Sequence, residues 1–289
     1  MNYRILMDVA GDLDSSVAKE GGVEYIPMEY SYMEQMRESF GTEDNAFLHL
    51  FYEGQRGGAL TRTSQISPFT YREVFSRCFA AGESVLYLSL SSGLSATFDS
   101  ACMTGRALEK DYPGCRLRAL DTLSASGGMG VLAERAVRNK KAGMSLEENY
   151  IDLHDAASRI QLWLVVQDLS YLKRGGRLST SSAVIGQVLH ICPILRINEK
   201  GKLVSVTNKR GLKQALSSLR DYIDESLDRE SGDVIYVTDA DNESLGAMAL
   251  QYLSQLYPNT TIRRKGISPI IGAHTGPDAL IVCHMGKKK

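Results

Sequence analysis

The chain has 289 residues, of which 43% are hydrophobic and 23% charged, and its formal net charge is −1. That profile excludes a disordered chain, fits two soluble domains of ordinary size, and gives no global pull toward nucleic acid or an anionic membrane surface. Cys78, Cys102, Cys115, Cys192 and Cys283 form no C-x-x-C pair, so neither a disulfide framework nor a zinc site is expected. The Met1–Asp8 stretch has no signal-peptide character and no apolar run reaches about 18 residues, which makes the cytoplasm the expected compartment. Lys287-Lys288-Lys289 reads as a solvated end.

In chain order, Tyr3–Met7 reads as a short buried strand ending at Asp8, followed by a loop and a helix over 13–19. Val23–Tyr30 is strand-like. Asp44–Gln55 places Phe47, Leu50 and Phe51 at helical spacing. A loop of small and polar residues covers Gly57–Gln65, and Ser67-Pro68 opens the next helix with Pro at its first position. Ser84–Leu90 is a strand that turns through Ser91–Ser95 into a helix reaching Glu109. Arg116–Leu120 is a further strand, and helices follow over 127–141 and 145–159. This alternation predicts a mostly parallel sheet in a domain spanning 1–159. The second domain, 160–289, reads as mixed α/β. It has a strand over 161–166, a helical turn over 169–173 and a hairpin of 194–197 with 203–206 around Asn198–Gly201. A long helix spans 210–227, a strand 234–238, a helix 244–256, and strands 261–265 and 280–283.

Four segments carry candidate chemistry. Ser91-Ser92-Gly93-Leu94-Ser95-Ala96-Thr97 joins the carboxyl end of a strand to a helix start, where ligands of open α/β sheets collect and anions are attracted. The plain alternative is a capping serine with solvated neighbours. Thr63-Ser64-Gln65 precedes a helix and reads either as hydroxyl donors or as an ordinary cap. Tyr171–Ser179 holds Gly175-Gly176 between basic residues, a turn that aims Arg174 or Arg177 inward at a carboxylate or lies as basic surface. Ile271–Ala279 reads as an irregular loop with a lone His274. The other histidines, His49, His154, His190 and His284, show no metal-ligand spacing. Asp8 and Asp12 read as caps of the first helix, or as carboxylates that orient nearby hydroxyls or a cation.

Taken in order, these segments resemble the DegV family. The family pattern has an aspartate-ended first strand, T-S-Q-P-S, S-S-x-L-S-G-T, L-K-x-G-G-R-[IL] and I-G-x-H-x-G-P-G. The matching residues are Thr63–Ser67, Ser91–Thr97, Leu172–Leu178 and Ile271–Asp278, with Arg210-Gly211 matching an R-G before the long helix. Ala96 stands where the family has Gly, Asp278 replaces the last Gly of G-P-G, and Asp8-Val9-Ala10-Gly11-Asp12 lacks the hydroxyls of D-S-[ST]-[AS]-D. The resemblance implies a two-domain DegV-like (EDD) fold with a ligand tunnel between the domains. It implies one long-chain fatty acid, such as palmitate, stearate or oleate, and no other cofactor or metal. Thr63, Ser64, Ser92, Ser95, Ala96, Arg177, His274 and Gly276 would surround the carboxylate, with the hydroxyl and backbone of Ser95 both donating. By the same resemblance the chain is the binding subunit of a bacterial fatty acid kinase in phospholipid metabolism. It would show the carboxylate to a separate ATP-binding kinase subunit, with no nucleic-acid partner and with room for transient membrane contact. The rivals are a stand-alone hydrolase using Ser95 and His274, and a lipid-binding protein with a regulatory or structural role. Met28, Met33, Met36, Phe98 and Met103 are expected either in the tunnel or in the core.

Overall fold

Tyr3–Asp8 and Ser84–Ser89 are nearly continuous apolar runs, and they pair in parallel as β1 and, further along, β6. A strand buried on both faces needs such a run. The computed structural model describes residues 2–178 and 191–287; Ser179, His190, Lys288 and Lys289 lie outside the described residues. After β1 come α1 (Ser15–Gly21), β2 (Val23–Ile26), β3 (Met28–Tyr32), β4 (Gln35–Ser39), α2 (Asn45–Arg56), β5 (Thr61–Thr63) and α3 (Pro68–Ala80). After β6 follow α4 (Thr97–Asp111), β7 (Leu117–Asp121), α5 (Gly127–Lys141) and α6 (Leu146–Ala157). The order β2-β1-β6-β7 makes an all-parallel sheet, and β4-β3-β5 makes a small antiparallel one.

The remaining strands build one mixed sheet. They are β8 (Ile160–Val165), β9 (Ile191–Ile197), β10 (Leu203–Arg210), β11 (Ile235–Asp239), β12 (Ile262–Gly266) and β13 (Leu280–Met285) in the order β10-β9-β8-β13-β11-β12. Between them lie α7 (Ser170–Arg174), α8 (Leu212–Ser226), α9 (Glu243–Leu256) and α10 (Pro269–Thr275). Period-two alternation divides the two faces. Leu162, Leu164 and Ile281 join the core shared with the parallel sheet, while Trp163, Val165 and Val282 pack under α8 and α9. No helix among the described residues is long and apolar enough to cross a membrane.

Several elements depart from the sequence reading. Pro27 divides Val23–Tyr30 into two strands of different sheets, since it lacks the N–H that a continuous ladder requires. The expected loop Gly57–Gln65 contributes β5. The expected irregular loop around His274 is the helix α10, opened by Pro269 at its first turn and stopped by Gly276 at φ 72°. Neither Asp8 nor Asp12 caps α1; Asp14 does, accepting from the amides of Ser16 and Val17. Asp8 instead accepts from Leu90 N at 2.7 Å and the Tyr87 hydroxyl at 3.1 Å. Asp12 accepts from the Ser126 hydroxyl and from Ser268 N, which opens α10.

The two halves meet along α5. A Cβ added at Gly127 would lie 2.5 Å from Tyr236 Cβ on β11, so glycine is what permits this approach. Gly127→Ala is expected to lower stability by about 2 kcal/mol through overpacking. A urea titration that returned the wild-type midpoint would show that β11 yields there.

Candidate functional site

The site begins at the carboxyl end of β6. The buried carboxylate of Asp8 holds Leu90 N and so fixes where the strand ends. Burial pushes Asp8 up to about 6, against the lowering effect of its donors Leu90, Tyr87 and Ala10. Beyond Leu90, the Ser91 carbonyl accepts from Leu94 N at 2.9 Å and Ser95 N at 3.1 Å, folding the segment into a tight turn. The Ser95 backbone N–H is therefore already used within the turn. Its hydroxyl pairs with Thr97 Oγ1 at 2.6 Å and accepts weakly from Thr97 N.

Facing this turn is α10. Thr61 Oγ1 donates to Ala273 O and Gln55 Nε2 to Gly272 O, which fixes α10 against β5 and α2. Thr63 Oγ1 then lies 2.8 Å from His274 Nε2. His274 is half-buried, and its Nδ1, itself buried, has no hydrogen-bond partner among the described residues. A Cβ on Gly175 would come within 2.2 Å of that nitrogen, so Gly175 is the residue that admits the imidazole. Burial, and secondly the positive charge of Arg177, lower the His274 pKa to about 4. The ring is neutral near pH 7. A buried N–H without an acceptor is costlier than a spare lone pair. Nδ1 therefore carries the lone pair, and Nε2–H donates to Thr63 Oγ1. The Thr63 O–H remains free to donate elsewhere.

Arg177 closes the same end. Its Nε donates to Leu94 O at 3.1 Å and its Nη1 to Gly175 O at 2.7 Å. Arg174 instead lies over the Tyr171 ring, 4.6 Å from its centroid. Thr63, Ser64, Ser95, Arg177 and His274 all border one cavity of about 70 Å³. Its remaining wall is largely apolar and includes Leu90, Leu162, Leu164, Ile197, Leu203 and Ile281. Ser92, Ala96 and Gly276 lie off that wall. Ser92 and Ala96 are exposed, and Gly276 packs beneath the Tyr171 ring. Met28 borders the cavity, Phe98 is half-buried off its wall, and Met33, Met36 and Met103 are exposed. The apolar wall was not legible in advance. Alternation in β8 gives two faces but does not say which one meets a ligand.

The chemistry available is anion binding beside an apolar space. His274 Nε2 is committed to Thr63 and Ser95 Oγ to Thr97, so no nucleophile–base pair joins Ser95 to His274. A larger groove of about 430 Å³ runs between α8 and α9 and borders none of these polar residues. Among the described residues, His49, Glu53 and Asp241 are close enough to hold an ion. The Arg56 guanidinium already supplies positive charge there, pairing with Glu53, Asp241 and Asp278.

A sequence model of the DegV family of uncharacterised proteins matches residues 2–287. The chain belongs to the DegV family. A DegV domain-containing protein of Lactococcus lactis is 30% identical over 298 residues, covering 100% of this chain and 99% of the relative. One from Clostridium perfringens is 29% identical, covering 99% and 98%. Among solved structures, DegV of Bacillus subtilis, a fatty acid binding protein, superposes with TM-score 0.86 at 25% identity, covering 99% and 100%. A DegV family protein of Thermus thermophilus, described for its fatty acid binding, superposes with TM-score 0.82 at 26% identity, covering 99% and 100%. Two of the three departures from the DegV pattern, Ala96 and Asp278, have local explanations. Ala96 has φ −78°, a value that does not call for glycine. Asp278 does occupy a positive φ of 61°, and its carboxylate accepts from Arg56 and Asn242.

Proposed function

We propose that this DegV protein binds one long-chain fatty acid by its carboxylate at Thr63, Ser95 and Arg177. The single observation that supports this most is that those donors all border one largely apolar cavity. A carboxylate removed from water needs several donors or it protonates. The free Thr63 O–H, the Ser64 hydroxyl, the Ser95 O–H when Thr97 Oγ1 is the donor of their shared bond, and the Arg177 guanidinium would meet that need. A sixteen-carbon tail carries roughly 15 methylene and methyl groups, worth on the order of 12 kcal/mol gross when buried at ~0.8 kcal/mol each. Ordering costs offset part of that gain. The fatty acids bound by the Bacillus and Thermus relatives support the same ligand class.

The role proposed for the bound acid is presentation. The chain carries no G-x-x-x-x-G-K-[ST] phosphate loop. A separate ATP-binding kinase subunit would therefore supply the phosphoryl group, and this protein would hold the acyl head for conversion to acyl phosphate. Thr63, Ser95, Arg177 and His274 position that head, and none forms a covalent bond to it.

Native mass spectrometry of the purified protein, followed by extraction, tests the first claim. One fatty acid per chain is expected, and a clean apo mass that takes up no added acid would sink it. Thr63→Ala and Ser95→Ala should each weaken retention by about tenfold, as expected for one hydrogen bond to a charged group. Presentation is tested by adding ATP and a DegV-partner kinase and trapping acyl phosphate with hydroxylamine. Absence of hydroxamate with loaded protein would leave carriage without presentation.

A further inference from the structure

Six strands at about 4.8 Å spacing make a sheet face roughly 24 Å wide, more than two helices each about 10 Å across can cover. On the face turned away from the parallel sheet, α8 packs on β10, β9 and β8, and α9 packs on β11 and β12. β13 falls between them in the strand order, and its Leu280 and Val282 floor the furrow of about 430 Å³ that results. The walls include Leu212, Leu216 and Ile223 of α8 and Met248, Ala249 and Leu253 of α9. The furrow closes toward the C-terminal end of α8, where Ser226 Oγ lies 3.3 Å from His284 Nε2 on β13. We propose that this furrow binds a second, free fatty acid, with the chain over Leu280 and Val282 and the carboxylate at Lys213. The proposal takes its ligand class from the reading above but rests on a different site.

Size, charge and width select that occupant. The volume falls in the range of small-molecule sites, about 300–1,000 Å³. Among the described lining residues the charged ones are Lys213 and Arg220, both cations, two turns apart on α8. Arg220 is held by Asp221, with its Nη2 2.6 Å from Oδ1. Lys213 is exposed near the N-terminal end of α8, away from the closed end, and can pair with an anionic head. The Arg220 side chain also reaches the Tyr252 hydroxyl of α9, bridging the furrow. A partner helix about 10 Å across would have to break that bridge, whereas an extended hydrocarbon chain passes beneath it. The furrow is open to solvent and buries less of the chain than an enclosed cavity does. Purified protein therefore keeps one acid, and the second adds only when ligand is in excess.

The test loads full-length protein with one equivalent of unlabelled stearate and then titrates laurate labelled with carbon-13 at its carboxyl, read by NMR. Wild type should show one saturable bound laurate per chain while the stearate stays in place. Ser217 is exposed on α8 and borders the furrow, so Ser217→Trp fills it from outside without entering the core. That variant should weaken laurate by about tenfold or more, since several methylenes lose their burial. Lys213→Glu should weaken it about fivefold, and added salt should narrow that difference, as for an exposed ion pair. Stearate retention should be unchanged in both. No saturable laurate in wild type, or laurate binding unmoved by Ser217→Trp, would overturn the proposal. Stearate lost in step with laurate would also overturn it, by placing the damage in the fold. A loss confined to the Trp variant would overturn the carboxylate position at Lys213. If wild type takes no stearate yet binds laurate in a way that Ser217→Trp abolishes, the head-group reading falls and the furrow stands.

Discussion

In delipidated protein, His274→Gln is expected to narrow its stability gap to wild type by about 3 kcal/mol between pH 7 and pH 4. Burial depresses His274 from 6.5 to about 4. The unfolded chain therefore takes up the proton before the folded one does. This contribution to stability is fully present above about 6.5 and is lost as the pH falls through about 4. Comparing urea midpoints of the two proteins at each pH isolates it. His284, also lowered to about 4 by burial, is common to both and cancels. Asp8 cancels too, and acts in the other sense. Its raised value of about 6 means that its contribution is complete at low pH and lost as the pH rises through that value. A gap that stays constant with pH would mean that the imidazole ionises as freely folded as unfolded, and the buried neutral ring described here would be wrong. Loading with fatty acid gives a second check. A carboxylate beside His274 favours its protonated form, so the loaded protein should show a smaller gap change than the delipidated one.

The same imidazole shows where the sequence was legible and where it was not. Long-range order was readable from period and composition. The runs Tyr3–Met7 and Ser84–Leu90 announced buried parallel strands, and the Ser67-Pro68 start of α3 appeared as expected. Four polar segments could also be picked out, because glycine, proline and hydroxyl residues break periodicity wherever they collect. What the sequence could not state was which side chains converge. Ser92 and Ser95 look equivalent in Ser91–Ser95, yet the turn closed by the Ser91 carbonyl exposes the first and aims the second at the cavity. His274 looked like a loop residue because Gly272, Gly276 and Pro277 surround it. Tertiary bonds to Thr61 and Gln55 nevertheless hold those residues as a helix. The small sheet β4-β3-β5 was missed for a related reason. Gln35–Ser39 is mostly exposed and polar, and three-residue β5 gains its pairing only from β3. Such elements are set by partners far away in the chain, which local propensity does not encode.

Arg177 is where ligand affinity and head-group geometry meet, and its replacement separates them. Arg177→Met should weaken fatty acid retention by about 2 kcal/mol, or roughly thirtyfold, the range for losing a charge-assisted hydrogen bond. Two effects contribute. The cavity loses the guanidinium beside the proposed carboxylate position, and the Ser91–Ser95 turn loses the donor to Leu94 O. Arg177→Lys keeps the charge but not the planar fork that spans Leu94 O and Gly175 O. Retention restored by Lys would assign the effect to charge, and Lys behaving like Met would assign it to the clamp. A Met variant that holds fatty acid as tightly as wild type would remove Arg177 from the site altogether. The imidazole reports on the same change independently. Arg177 is the second cause of the low His274 pKa, after burial. Removing its charge should raise that pKa above about 4 but leave it short of 6.5, because the ring stays buried. An NMR titration of the His274 ring protons in the delipidated Met variant reads this directly. No movement would mean that the guanidinium lies too far from the ring, or is too well solvated, to act on the head-group end at all.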